Sequence, residues 1–119
     1  MKRIEIDNLV ILCEINERIM TIKWTGISKE MDPDAKLIPI MNTLLEDAQE
    51  QLVLDFYDLE YINSASVVPV ITFVKAADEK KINTVIRYNP QLSWQKSMFK
   101  AFTALTKILK HLSIEEIWK

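Results

Sequence analysis

Two stretches near the start of the chain alternate apolar and polar residues with period two. Ile4 and Ile6 flank Glu5, and Met20, Ile22 and Trp24 are separated by Thr21 and Lys23. Side chains on a pleated strand point to opposite faces in turn, so each stretch predicts a strand with one buried face. Residues 9–15 lie between them and are more continuously apolar, which predicts a third strand. Asp7 and Asn8 turn the first strand into the second, and Asn16 and Glu17 the second into the third. Connections this short make antiparallel neighbours. Gly26, the only glycine, is expected to end the third strand.

After a polar crossover over residues 27–36, the apolar period lengthens. Leu37, Ile38, Met41, Leu44, Leu45 and Ala48 recur at helical spacing and predict a helix ending near Glu50. Asp32 or Asp34 provides its start, and Pro39 either lies in its first turn or kinks it. Residues 52–56 then read as a central strand covered on both faces, and residues 57–63 as an acidic loop. A second helix opens at Ser64, Ala65 and Ser66, with Val67, Val70, Ile71, Val74 and Ala77 on one face. Either serine is a candidate N-cap; with Ser66 as the cap, Pro69 falls at the third helical position, where no intrahelical N–H is needed.

Residues 82–88 predict a further strand closed by Asn89 and Pro90. Ser93 is expected to cap a third helix over residues 93–111, whose stripe of Trp94, Met98, Ala101, Phe102, Leu105, Ile108 and Leu109 reads as core. Phe99, like Trp94, is placed near the helix start and at the edge of that stripe. Residues 114–118 add a short strand or dock as a tail. The resulting order, β-β-β-α-β-α-β-α, is α/β: a mixed β-sheet flanked by helices, with right-handed crossovers joining the parallel part.

Length and composition narrow the function more than the fold. A chain of 119 residues, 49% of them hydrophobic, buries a core without disulfides and fits one domain over residues 1–119. The formal charge of -2 argues against nucleic-acid binding by counterion release. Cys13 is the only cysteine, so neither a disulfide framework nor a metal site is expected, and a reducing cytoplasm is the natural compartment. No apolar run reaches the ~18 residues of a membrane span. With one glycine there is no glycine-rich phosphate cradle, and no cofactor is expected.

Catalytic chemistry finds little support. His111 is the only histidine and lacks a nucleophile or metal-ligand pattern around it. Asp55, Asp58 and Glu60 read as a solvated acidic loop rather than an acid/base cluster. Asp55 differs from the other two because it interrupts an apolar strand and needs a hydrogen-bond partner there. It is expected to orient the loop carrying Asn63 and Ser64. A hydroxyl at a helix N-terminus, where free N–H groups and the positive dipole end converge, is a favourable place to hold a phosphate.

Leu54, Asp55 and Phe56, followed after a short loop by Asn63, Ser64, Ala65 and Ser66, resemble the signature of STAS domains, the family of bacterial anti-sigma factor antagonists. That signature runs from a Leu-Asp-Leu strand end to an Asp-Ser-Ser-Gly or Asp-Thr-Ser-Gly motif opening a helix. Asn63 replaces the aspartate here and Ser66 the glycine. An Asn before a hydroxyl residue also resembles the SiaC-like branch of regulatory phosphoproteins. The resemblance implies a STAS-like fold and a non-enzymatic switch, with Ser64 at the phosphorylated position. It further implies a partner-binding face made by Asn63, Ser64, Ala65, Ser66, Val67 and Asp58. The implied partners are a serine kinase or anti-sigma-like factor and a phosphatase, with no nucleic acid and no membrane. The altered Asn63 and Ser66 positions keep an alternative open: a constitutive scaffold or small-ligand-binding domain of the same fold.

Overall fold

The computed structural model describes residues 1–29 and 31–119; for Pro33 and Asp34 it describes the backbone alone. Strands β1 (Lys2–Ile6), β2 (Leu9–Asn16) and β3 (Ile19–Ser28) form the expected antiparallel meander, in which Ile4 pairs with Ile11 and Ile11 with Trp24. The tight turns put Asp7 and Glu17 at φ 53° and 59°. Gly26 does not end β3. It sits at an irregularity inside the strand, at φ 88°, where a Cβ would lie 2.2 Å from the Asn8 carbonyl oxygen. Only glycine allows that approach, and β3 thereby continues to Ser28.

The rest of the chain runs α1 (Pro33–Asp47), β4 (Gln51–Asp55), β5 (Leu59–Ile62), α2 (Ser64–Glu79), β6 (Asn83–Tyr88), α3 (Ser93–Leu105) and β7 (Leu112–Glu116). The sheet has seven strands in the order β1-β2-β3-β4-β6-β7, with β5 paired to β3. β4 pairs in parallel with residues 19–23 of β3 and β5 with residues 26–28, so the two short strands lie end to end along the same edge. The stretch expected to be an acidic loop is therefore a two-residue turn followed by β5. Within it the two end residues, Leu59 and Ile62, are buried and Glu60 and Tyr61 between them are exposed.

The parallel crossovers all step the same way across the sheet, and right-handed crossing places α1, α2 and α3 on one face. Met20, Ile22 and Trp24 of β3, with Leu52, Leu54 and Phe56, enter the core on that face. On the other face Val53 is buried too, while Thr21, Lys23 and Asp55 are half-buried, so the middle of β4 is covered on both faces and its ends fully only on the helix side. An aromatic chain continues the core toward α3: Trp24 meets Phe56 at 5.4 Å between ring centroids, Phe56 meets Phe99 at 4.9 Å, and Phe99 meets Phe102 at 5.5 Å.

Asp32 caps α1, accepting from the Ala35 backbone N–H, and Pro39 lies inside the helix. In α3, Leu92 holds the cap position with no side-chain hydrogen bond; Ser93, expected as the cap, is the first helical residue. α3 ends at Leu105 instead of His111, and β7 covers residues 112–116 in parallel with β6. No helix among the described residues is long and apolar enough to cross a membrane.

Candidate functional site at the start of α2

Neither serine caps α2. Asn63, in extended backbone, accepts the Ser66 backbone N–H on its Oδ1 at 2.9 Å. Asparagine ranks with serine as an N-cap, so the residue three before Ser66 carried the signal. The helix starts earlier than a Ser66 cap would allow, and Pro69 is its sixth residue, buried within it. Asn63 is itself anchored to the sheet, donating its backbone N–H to the Ser28 carbonyl at 2.9 Å.

This local chemistry sorts the candidate residues. Ser64 is exposed at the first helical position, Asn63, Ala65 and Val67 are half-buried around it, and Ser66 is fully buried at 0% exposure. Asp58 is not beside Ser64. Four residues of β5, at ~3.3 Å each, separate them by roughly 13 Å, and the Asp58 carboxylate pairs with Lys23 Nζ at 2.7 Å. That hydrogen bond raises the Lys23 pKa above its ordinary value. Asp55 acts locally: its Oδ1 accepts the Tyr57 backbone N–H at 3.0 Å, fixing the first residue of the turn.

A residue outside the expected set holds the turn and the start of β5. Gln95 is fully buried. Its Nε2 lies 2.9, 3.2 and 3.0 Å from the carbonyl oxygens of Phe56, Tyr57 and Leu59, and its Oε1 accepts the Asn89 backbone N–H at 2.8 Å. One amide thus joins α3 to the β4–β5 turn and to the segment after β6. Spacing held the clue, since Gln95, Phe99 and Phe102 stand at i, i+4 and i+7 and share the buried face of α3.

The stripe read as core divides in two. Phe102 belongs to the core, with Phe99 beside it, whereas Met98, Ala101 and Leu105 face an apolar groove of about 430 Å³. Across that groove stand Val67, Val68 and Ile71 of α2, and Ser64 lies at its end. Trp94 meets Tyr61 at 6.1 Å, where α3 approaches β5.

No protein-family model matches the chain, and no curated protein matches it. Among solved structures, the chain is similar to a crystal structure of an anti-sigma factor antagonist from Mycobacterium paratuberculosis. The TM-score is 0.64 at 15% identity, over 92% of this chain and 86% of that one. A likeness of that extent at that identity is one of fold. The STAS-like architecture expected from residues 54–66 is present.

Proposed function

We propose that residues 1–119 act as one bacterial regulatory domain of the anti-sigma factor antagonist type, without catalysis of its own, that binds a protein partner under control of phosphorylation at Ser64. The observation that carries this reading is the position of Ser64: exposed, first in α2, and relieved of capping by Asn63. Modification there leaves the helix start intact. A phosphate adds about -1.5 to -2 charges at neutral pH, and the N-terminal turn of a helix tolerates an anion. The rim that meets the partner is Asn63, Ser64, Ala65 and Val67, with the buried Ser66 supporting it from below. The shared fold supports the class, and a kinase or anti-sigma-like factor with an opposing phosphatase would set the state in the cytoplasm.

The test is mass spectrometry of the protein from its native cells, with the phosphatase deleted. Phosphate on Ser64, an unchanged circular dichroism spectrum and loss or exchange of a co-purifying partner are expected. Ser64→Ala should stay in the unmodified binding state. An unmodified Ser64 under those conditions would replace the switch with a constitutive scaffold.

A further inference from the structure

β1 is an outer strand of the sheet: it pairs with β2, and no strand lies beyond it among the described residues. In an antiparallel ladder alternate residues aim their backbone groups at each side in turn. The two-residue turn at Asp7 and Asn8 makes Ile6 and Leu9 a hydrogen-bonded pair, and in this register Ile4 and Lys2 also aim at β2. The Asn8 carbonyl fixes the same phase from the far side of β2, because it accepts the Ile27 N–H of β3 at 3.0 Å. Arg3 and Glu5 therefore hold outward N–H and C=O groups, a row that a further strand can pair.

The side chains of this edge are complementary to their own copy. Arg3 and Glu5 are exposed on the face away from the helices and ion-paired to each other at 2.8 Å. On the helix side Lys2, Arg3 and Ile4 meet Pro39, Ile40 and Thr43 of α1 around an open hollow of about 430 Å³. Two β1 strands laid antiparallel satisfy their outward groups only where residues 3 and 5 face residues 3 and 5. Centred on Ile4, Arg3 of each copy faces Glu5 of the other, which gives four backbone hydrogen bonds and sets Ile4 opposite Ile4. The neighbouring registers put Arg3 opposite Arg3 or Glu5 opposite Glu5, and like charges directly opposite are unfavourable. The other edge strand, β7, differs: it carries Glu115 and Glu116 with no cation, and Glu116 already accepts from the Tyr88 hydroxyl at 3.0 Å.

We infer that a second copy of this chain pairs with β1, the two strands antiparallel about a twofold axis through Ile4, so that two seven-stranded sheets become one. An axis perpendicular to the sheet keeps the helices of both copies on the same face, and the two hollows beside α1 then meet over the Ile4 pair. Exchanging an ion pair within each strand for ion pairs between strands adds little energy, because all four groups are exposed. The charges select the register, while the backbone hydrogen bonds and the apolar contacts of Ile4, Pro39 and Ile40 supply the affinity. Asn63 is anchored to β3, two strands in from this edge, so each copy keeps its own Ser64 exposed. The contact is independent of any modification there.

Sedimentation equilibrium over about a hundredfold range of concentration should show a monomer–dimer equilibrium that saturates at two copies. Arg3→Glu alone and Glu5→Arg alone should each weaken the dimer about tenfold or more, because like charges then face each other twice. An equimolar mixture of those two variants should restore it, which neither variant could do by misfolding. Glu5→Pro removes an outward N–H and no bond to β2, so it should weaken the dimer while the circular dichroism spectrum stays unchanged. Ile4→Cys should oxidise to a dimer linked through position 4 of both copies, since residues directly opposite at a non-hydrogen-bonded position lie within the Cα spacing that a disulfide accepts. A monomer at every concentration would overturn the contact, as would a dimer indifferent to both charge variants and to their mixing. Growth beyond two copies would also overturn it, because pairing of β1 with β7 of the next copy makes an open assembly where the twofold contact closes.

Discussion

Two helix seams lie side by side on one sheet face, and only one is closed. α1 and α2 pack directly against each other, with Met41, Leu44, Phe73 and Ala77 all buried. α2 and α3 stand apart, and similar side chains line open space between them. Hydrophobicity does not make the difference, because Val68 and Met98 are as apolar as their buried counterparts. α3 is committed elsewhere: Phe99 and Phe102 press it onto the sheet, and Gln95 ties its start to the strand ends. Helices placed independently on a sheet close only those seams for which their side chains reach across.

The largest effect should fall in the closed seam. Phe73→Ala should cost about 3–5 kcal/mol, through lost transfer energy and a residual cavity. Val68→Ser, on the same helix but facing the groove, should stay within about 0.5 kcal/mol. Urea denaturation measures both, and comparable losses would mean that the α2–α3 seam is closed in solution.

Gln95→Ala should come next, at about 2–3 kcal/mol, because it leaves buried carbonyls and the Asn89 N–H without their partner. Amide exchange should quicken at Asn89, a readout specific to the clip. Unaltered exchange there with full stability would show that something other than Gln95 holds α3 in place.

The smallest contrast concerns the rim where the open seam ends. Asn63→Ala should cost about 1 kcal/mol as a lost cap, whereas Ser64→Ala should change stability by less than about 0.5 kcal/mol. The reverse order in denaturant melts would return the cap to Ser64 and remove the independence of switch and helix start.

The strands and helices were legible because their periods are local. Met20, Ile22 and Trp24 alternate whatever lies above them, and Val67, Val70, Ile71, Val74 and Ala77 share a helical face in any packing. The position of Ser64 at the opening of α2 was equally readable, since a strand, a short polar link and a change of period frame it. Three features were not. β5 has only four residues, and its two outward positions, Glu60 and Tyr61, made it read as loop. The identity of the cap turned on a backbone geometry that asparagine and serine satisfy equally well.

The division of α3 into a buried face and a groove face lay beyond any local pattern. Apolar spacing along residues 94–109 states which side chains share a side of the helix, but not whether a neighbouring helix stands close enough to cover them. By itself the sequence determined the three helices, the strands other than β5 and β7, their order and the placing of a hydroxyl at the head of α2, because those follow from interactions within a few residues. Only the tertiary structure decided that Gln95 would bridge segments 36 to 39 residues away and that the α2–α3 seam would stay open. Both depend on where the sheet sets each helix, and that distance is a property of the packed whole.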